Sequence, residues 1–289
     1  MFDTILVPTD GSPGSERAFE VAATLASTHD ATVHVLSVVD DHGPTDDDWD
    51  YDGDSPAAAF IESQADHVDT DGLSLTPVVR EGVVHDEVLD YADDADIDLI
   101  VMGTHGRTGV RRFLLGSVTE KVVRLAEVPV LSVKADAEPG TVSFDDILLP
   151  TDGSSGAAAA IEPAGALASE TGATVHLVSV VDTRSLGIDV GSTVIVDELE
   201  SVATDAVETA SDRLSEMGVE TIETAISHGI PYRAILAAID EADADLVVVG
   251  THGRTGIDRY LLGSVAEKLV RTSPVPVMTV RAPEAGDGR

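Results

Sequence analysis

The chain has 289 residues, of which 53 are acidic and 17 basic, giving a formal net charge of −36, and it contains no cysteine. Such a charge would repel DNA, RNA and anionic membranes, and a chain without cysteine has neither disulfides nor thiolate metal sites. The length suits two domains, and no apolar run approaches the ~18 residues of a membrane helix, so we expect no nucleic-acid partner and no membrane partner.

The composition also indicates the setting in which the protein works. The residues are 43% hydrophobic and strongly patterned, which favours a folded protein over an acidic disordered tail. An Asp-rich, Lys-poor folded chain resembles proteins from organisms with molar salt in the cytoplasm, where a Debye length of about 3 Å means that self-repulsion hardly reduces stability. The N-terminus has no basic segment and no cleavage site, so no signal peptide is predicted, and we expect a halophilic, cytoplasmic protein.

Strands and helices alternate through the first half of the chain. Thr4–Thr9 is a short, β-rich apolar run that predicts a buried strand, and Ser12-Pro13 fits an N-cap followed by proline at the first helical position. His34 and its equivalent His176, both in mid-strand, are predicted to be hydrogen-bonded structural residues. The same patterns predict strands at Thr32–Val39, Leu73–Arg80, Ile97–Gly103 and Val128–Val133, and helices from Pro13 to about Ser27 and at Ala57–Val68, His85–Ala92 and Ser117–Leu125.

The second half of the chain repeats the first. Ile5–Ser12 returns as Leu148–Ser154, and Ala31–Asp40 returns as Ala173–Asp182. A repeat of this length indicates a domain doubled within one chain rather than a solenoid. We therefore predict a first domain at 1–135, a linker at 136–142, a second domain at 143–282 with a longer second helix, 194–217, and a tail at 283–289.

The alternation of elements also predicts the fold class. Apolar strands between helices favour an α/β fold in which a parallel sheet is covered on both faces, here a doubly wound, Rossmann-like domain present twice. Ligands of such sheets lie past the carboxyl ends of the strands, where the strand order reverses. If strands one and four flank that reversal, Asp10 and Gly103 face each other across one crevice.

A glycine motif occurs once in each half, between the fourth strand and the last helix. Glycine, two residues, glycine, nine residues, then Gly-Ser is the spacing in both copies. Bare backbone N–H groups and the positive end of a helix dipole suit a phosphate. Nine of the 17 basic residues also lie in this loop and helix, at 107–124 and 254–271, which favours a small anionic ligand over solubility alone. The motif residues are Gly103, Gly106, Gly116 and Ser117 in the first copy and Gly250, Gly253, Gly263 and Ser264 in the second.

Other polar residues near the motif leave two interpretations open. Asp10 and Asp152, in identical Pro-Thr-Asp-Gly-Ser settings, could accept hydrogen bonds from ribose hydroxyls or could cap the turn before the helix. Arg107 and Arg254 could neutralise phosphate charge or be solvent-exposed loop residues. His105 and His252 have no nucleophile at a recognisable spacing, so we predict structural histidines and no catalytic residue. The acidic stretch 46–54 lacks the glycine and glutamate of a calcium-binding EF-hand loop and is interpreted as solvated surface, and no side-chain metal site is predicted.

On these motifs the chain resembles the universal stress protein (UspA-like) family, as a tandem pair that covers essentially its whole length. Both glycine motifs match the nucleotide-binding branch of that family. The resemblance implies five-stranded sheets of order 3-2-1-4-5, with ATP, or AMP or ADP, at the switch point and Mg or Mn beside it. It implies that Asp10 and Asp152 hold ribose, with Thr9 and Thr151 beside them, and that Val38 and Val180 pack on adenine. It also implies that one group of loop and helix residues in each domain wraps the phosphates. These residues are Gly103, Gly106, Gly116, Ser117 and Val118 in the first domain and Gly250, Gly253, Gly263, Ser264 and Val265 in the second.

The two copies differ in ways that bear on affinity and assembly. The family often has Gly-x-Pro before its third helix; Gly229-Ile-Pro231 keeps this pattern and Gly82-Val-Val84 does not. Thr119 is expected to offer a hydroxyl beside the phosphates, where the second copy has Ala266. The two sites can therefore differ in affinity. The family also implies pairing through the fifth strands, Val128–Val133 and Val275–Val280, which would make one chain a pseudo-dimer and leave further homo-oligomers open.

Three functions are consistent with the sequence. The first is a stress-response or signalling module in which ATP occupancy controls protein clients that the sequence does not name. The second is a slow ATPase or nucleotidyl transferase, although we find no convincing base and no second acidic pair for metals. The third is a structural member of the fold without nucleotide, against which the intact glycine motifs weigh.

Overall fold

The computed structural model describes residues 2–39, 56–64, 68, 70, 72–106, 115–135, 143–182, 193–253 and 262–283. The chain divides into two compact units, Met1–Val142 and Ser143–Arg289. The predicted linker, the acidic stretch at 46–54 and nearly all of the predicted tail lie outside the described residues. In the part of the chain that the structure describes, no helix is both long enough and apolar enough to span a membrane.

The first domain alternates strands with helices around one parallel sheet. Strand β1 pairs in parallel with β2 on one side and with β4 on the other, while β2 also pairs with β3 and β4 with β5. The direction of the crossovers therefore reverses between β1 and β4. The strands are β1 Thr4–Thr9, β2 Thr32–Val39, β3 Ser74–Glu81, β4 Leu99–Gly103 and β5 Val130–Val133, and the helices are α1 Pro13–His29, α2 Pro56–Gln64, α3 Val84–Asp94 and α4 Ser117–Leu125.

The second domain repeats this arrangement. Strand β6 pairs in parallel with β7 and β9, β7 also pairs with β8, and β9 with β10. The predicted α/β fold with a parallel sheet in each half is therefore confirmed. The strands are β6 Asp146–Pro150, β7 Thr174–Val181, β8 Thr221–His228, β9 Leu246–Gly250 and β10 Val277–Val280, and the helices are α5 Ser155–Thr171, α6 Thr193–Glu216, α7 Pro231–Glu241 and α8 Ser264–Thr272.

The central strands are buried because their sequences are almost entirely apolar. Ile5, Leu6 and Val7 of β1 and Leu99, Ile100 and Val101 of β4 are fully buried, as a sheet covered on both faces requires. The predicted N-cap also forms: the Ser12 hydroxyl accepts the N–H of Ser15 at 3.4 Å, and Pro13 begins α1. Local sequence thus fixes where α1 begins, directly after the carboxyl end of β1.

The mid-strand histidines are hydrogen-bonded, as predicted. His34 Nδ1 lies 2.7 Å from the hydroxyl of Tyr91 on α3, and His176 Nε2 lies 2.8 Å from a carboxylate oxygen of Asp146 on the neighbouring strand. Both contacts join a strand to an adjacent element, so both histidines have a structural role.

Candidate functional site

A cavity of about 640 Å³ opens past the carboxyl ends of β6, β7 and β9 in the second domain. This volume falls within the ~300–1,000 Å³ that is usual for small-molecule sites. The cavity lies where the crossover direction reverses, which is the expected position for a ligand of a doubly wound sheet. Eight of the predicted site residues line it: Thr151, Asp152, Val180, Gly250, Gly253, Gly263, Ser264 and Val265.

One wall of the cavity was not predicted from the sequence. Leu199 and Ala203 come from α6, and Pro231 and Ile235 come from the first turns of α7. Each pair is four residues apart, the spacing that places two side chains on one helix face. The spacing was visible in the sequence, but the choice of face depends on how α6 and α7 cross the sheet. These four side chains add apolar lining to a cavity that the polar ends of the strands also line.

The aspartate that ends the first strand of each domain has two distinct contacts. Asp10 Oδ1 accepts the N–H of Ser12 at 3.1 Å, and Asp152 Oδ1 accepts the N–H of Ser154 at 2.9 Å. The turn-capping interpretation is therefore confirmed in both domains. The other carboxylate oxygen of each aspartate, Oδ2, does not take part in this cap and faces the glycine loop.

The second glycine of each motif makes room for that oxygen. A Cβ atom at Gly106 would lie 2.5 Å from Asp10 Oδ2, and one at Gly253 would lie 2.8 Å from Asp152 Oδ2. Any side chain at these positions would therefore displace the carboxylate. The aspartate and the second motif glycine form one small cradle, whereas the sequence analysis had placed Asp10 opposite the first motif glycine, Gly103.

The first glycine of each motif has a role that the sequence analysis missed. A Cβ atom at Gly103 would lie 2.6 Å from the carbonyl carbon of Gly14, and one at Gly14 would lie 2.5 Å from the carbonyl oxygen of His105. Helix α1 therefore packs backbone to backbone on the end of β4. In the second domain Gly156 and Gly250 approach each other in the same way. We expected these glycines to expose N–H groups to phosphate, whereas the structure explains them by helix–strand packing.

The third glycine of each motif closes the loop. The N–H of Gly116 donates to the carbonyl oxygen of Thr104 at 2.9 Å, and that of Gly263 donates to Thr251 at 2.7 Å. These two N–H groups are therefore already used, contrary to the expectation that they face a phosphate. The N–H groups of the first turns of α4 and α8 have no acceptor within their helix. Ser117 and Val118, and Ser264 and Val265, are thus the backbone donors suited to an anion.

Of the side chains near the loop, Thr119 differs from expectation and the two histidines agree with it. The buried Thr119 hydroxyl donates to the carbonyl oxygen of Gly103 at 2.8 Å, so its proton joins α4 to β4 and does not face a ligand. Its counterpart Ala266 is buried and lines the cavity of the second domain. His105 Nδ1 lies 3.0 Å from the Thr104 hydroxyl, and His252 repeats this contact with Thr251, which agrees with the predicted structural role.

The remaining predicted residues lie around the same strand ends. Thr9 and Thr151 are buried, and their hydroxyls accept the N–H groups of Gly11 and Gly153 at 3.2 Å and 3.3 Å, so they shape the turn that carries the aspartate. Val38 is the penultimate residue of β2. Arg107 and Arg254 lie outside the described residues, so their contribution stays a prediction.

The fold and the site define a class: a doubly wound α/β domain, present twice, with an aspartate, a glycine loop and a helix N-terminus meeting at the switch point. The model of the universal stress protein family matches residues 1–134 and 143–281. The chain therefore belongs to the universal stress protein family, with two such domains in tandem.

Individual relatives agree with this assignment. A universal stress protein of Mycolicibacterium smegmatis is 30% identical over 303 residues, covering 96% of this chain and 96% of that protein. One from Methanocaldococcus jannaschii is 35% identical over 144 residues, covering 46% of this chain and 83% of its own length. The crystal structure of a universal stress protein from Archaeoglobus fulgidus shares the fold, with a TM-score of 0.71 at 23% identity over 98% of this chain and 100% of that chain.

Proposed function

We propose that the protein is a nucleotide-binding stress-response or signalling module with an adenine nucleotide site in each domain. The observation that carries this proposal is the cavity of the second domain, which brings together Asp152, Gly253 and Ser264 from three separate segments of the chain. These segments meet only because the ends of β6 and β9 are neighbours in the sheet. In the first domain, the equivalent residues are Asp10, Gly106 and Ser117.

The chemistry of the cavity fits the parts of such a ligand. The apolar lining, which includes Val180 of β7, Leu199 of α6 and Ile235 of α7, suits the faces of a base. The carboxylate of Asp152 suits the hydroxyl donors of a ribose. The N–H groups of Ser264 and Val265, at the positive end of α8, suit phosphate oxygens. Because Gly253 has no side chain, the Asp152 carboxylate can lie against the glycine loop, which supports a ligand that contacts the aspartate and the loop together.

A divalent cation is proposed to accompany the nucleotide. Among the described residues, no group of three or more histidine, aspartate and glutamate side chains is arranged to hold a metal ion. Mg or Mn would therefore take most of its ligands from phosphate oxygens and water, as Mg commonly does in nucleotide sites. The cytoplasmic location, the high-salt setting and the pairing of the domains through β5 and β10 also stay proposals.

The test measures nucleotide content and binding on the full chain. We expect nucleotide to be released from the denatured protein, and ATP, ADP and AMP to bind to the stripped protein by calorimetry. Ser117 and Ser264 are exposed residues at the first positions of α4 and α8. Glutamate there suits a helix N-terminus but repels phosphate. Ser117→Glu and Ser264→Glu should therefore each abolish one site while leaving thermal unfolding unchanged, and the double variant should bind nothing.

The same samples separate the competing functions. Bound nucleotide with negligible ATP turnover supports the module. Steady hydrolysis that the double variant loses would instead assign a slow ATPase. Absence of binding in the wild-type chain at high salt would reject the nucleotide proposal and leave a structural member of the fold.

A further inference from the structure

Strand β8 forms an open edge of the sheet in the second domain. Along Thr221–His228 it pairs with β7, and it pairs with no other described strand of that domain. The N–H of Gly229, directly after β8, donates to the carbonyl oxygen of Val181 on β7 at 3.0 Å. Since the backbone groups of successive residues in a strand alternate in direction, the even-numbered residues of β8 point their N–H and C=O groups away from β7. These outward residues are Ile222, Thr224, Ile226 and His228.

The outward residues of β8 leave their backbone groups unpaired. No hydrogen bond joins these N–H and C=O groups to any other residue that the structure describes. The middle of the strand is accessible, since Thr224 and Ala225 are exposed and Ile226 has 37% of its surface exposed. The eight residues of β8 include no lysine, arginine or proline, the residues that commonly protect such an edge from further pairing. The edge is therefore able to add another strand.

The equivalent edge in the first domain is closed by a proline. The registers of the neighbouring strands show that Pro77 of β3 corresponds to Thr224 of β8. The N–H of Gly82 donates to the carbonyl oxygen of Val39 at 3.0 Å, so Pro77, five residues earlier, is at an outward position. Proline has no N–H to donate to a further strand, which is why strands tolerate it at an edge. The two halves of the chain therefore differ in whether this edge can pair.

The sequence of β8 is suited to pairing with a second copy of itself. Two copies of one edge strand pair antiparallel when a two-fold axis perpendicular to the sheet relates them. An axis through Ala225 places Thr224 opposite Ile226 of the second copy and Ile222 opposite His228. All four outward residues then form hydrogen-bonded residue pairs. Threonine and isoleucine, which alternate in these positions, are also among the residues most favoured in strands.

Charge favours this occupant over a basic peptide. Glu223 is the only carboxylate of β8, in a chain with a net charge of −36, so the edge offers a basic segment little to recognise. About an axis through Ala225, Glu223 lies opposite Ser227 of the second copy. The two Glu223 residues are then four residues apart along the strands, or roughly 14 Å, which exceeds the Debye length of about 10 Å at 0.1 M salt. Two copies can therefore approach at β8 with little local repulsion.

We propose that the edge of β8 is a dimerisation surface, occupied by β8 of a second copy of this chain in antiparallel pairing about Ala225. A two-fold contact of this kind uses the same surface on both copies and closes at a dimer. The surface is separate from the cavity, because the four outward residues are not among the described residues that line it. The inference is therefore independent of the proposed nucleotide function. Repulsion between the remaining surfaces of two chains of charge −36 makes the dimer stronger at high salt.

Sedimentation velocity on the full chain, over a series of protein concentrations at about 1 M KCl, tests the proposal. We expect a reversible dimer. Thr224→Pro removes one outward N–H from each copy and should raise the dimer dissociation constant by more than about tenfold. The fold should be preserved, because β3 accommodates Pro77 at the equivalent position. Thr224→Val is the matched control: it keeps the N–H and the preference for a strand, and should change the dissociation constant by less than about twofold.

Hydrogen exchange identifies the strand that pairs. Peptides that cover β8 should exchange more slowly as the dimer fraction rises, whereas peptides that cover β3 should be unchanged. Ile226→Glu is a second variant that does not require the strand to accommodate proline. It introduces a charge at an exposed position opposite Thr224 of the second copy, and should also raise the dissociation constant by more than about tenfold. Circular dichroism shows whether each variant is folded.

Two results would overturn the proposal. A wild-type chain that stays monomeric under these conditions would do so and would leave the edge of β8 to an extended segment of another protein. A dimer that survives both Thr224→Pro and Ile226→Glu, or one in which β8 gains no protection from exchange, would place the contact elsewhere on the chain. If Thr224→Pro unfolds, the comparison of Ile226→Glu with the wild type decides.

Discussion

Asp152 Oδ2 lies 2.8 Å from the position that a Cβ atom would take at Gly253, so this carboxylate and this glycine occupy adjoining space at the switch point. We predict that Gly253→Ala in the Ser117→Glu background lowers nucleotide affinity by about tenfold, because the methyl group pushes the carboxylate away from the ligand. The melting temperature should change little, because the group that has to move is the end of a side chain. Calorimetry and thermal unfolding on the same sample check both parts.

Asp152 itself provides the matched comparison. Asp152→Asn keeps an oxygen that accepts the N–H of Ser154, so the turn before α5 should survive while the negative charge is lost. Asp152→Ala loses the turn as well and should cost about 1 kcal/mol more in the free energy of unfolding. Nucleotide affinity that is unchanged in both variants would contradict the proposed contact with ribose.

Because Gly14 and Gly103 approach each other closely, a substitution at Gly103 should lower the stability of the first domain without directly altering a contact with the ligand. Gly103→Ala would place a methyl group against the backbone of Gly14, which has no flexible side chain to give way. We expect this variant to destabilise the first domain by about 2–3 kcal/mol, the upper part of the ~1–3 kcal/mol that is typical of overpacking, because the methyl group meets backbone atoms. Gly72→Ala is the control. Gly72 has a positive φ of 88° and open space around it, so this variant should cost only about 1 kcal/mol of backbone strain.

Thermal unfolding at constant salt measures the difference between these two variants. A Gly103→Ala protein as stable as Gly72→Ala would show that α1 can move away from β4 at little cost. In that case the glycine would have to be explained by the ligand after all.

His34 predicts a dependence of stability on pH. Burial lowers the pKa of His34 below its ordinary value of 6.5, while its Nδ1 lies 2.7 Å from the Tyr91 hydroxyl. The unfolded chain therefore takes up a proton at a higher pH than the folded chain does. The stability that neutral His34 contributes is present above pH 6.5 and is lost as the pH falls below it. Chemical denaturation between about pH 5 and 8 should show this loss.

His34→Gln removes the titrating group and keeps a hydrogen-bonding side chain. We expect the variant to be less stable than the wild type near neutral pH and to lose less stability as the pH is lowered. A pH profile parallel to that of the wild type would show that other histidines account for the effect.

The net charge of −36 predicts a strong dependence of stability on salt. Repulsion among exposed carboxylates acts over a Debye length of about 10 Å at 0.1 M salt and about 3 Å at 1 M, so the melting temperature should rise steadily with KCl over this range. Sucrose carries no charge and serves as the control for general exclusion from the protein surface. A melting temperature that rises equally in sucrose, or does not rise in KCl, would contradict the expected high-salt setting.

The sequence was informative where local pattern determines structure. The apolar run Thr4–Thr9 and the Ser12-Pro13 cap predicted a strand followed by a helix, and the structure has both within two residues of the expected ends. The meeting of Asp152, Gly253 and Ser264 was also predictable, because all three follow from strand ends and from the reversal of strand order.

The sequence was not informative where contacts depend on how distant elements cross. The sequence analysis gave Gly103 a role in phosphate binding. Its packing against Gly14 could not be predicted, because that contact exists only once α1 lies on β4. Thr119 was placed beside the phosphates, but the rotation of α4 directs its hydroxyl to the carbonyl of Gly103. The wall formed by Leu199 and Ile235 likewise depends on the path of two helices over the sheet.

The contact between Gly14 and Gly103 also restricts how this domain can change over evolutionary time. A side chain gained at Gly103 meets the backbone of Gly14, and one gained at Gly14 meets the carbonyl oxygen of His105, so a second substitution at the partner cannot relieve the first. Only a shift of the whole helix could do so, and that shift would carry the Asp10 turn with it. Natural variants of this chain should therefore retain both glycines or lose the turn and the pair together, independently in each half.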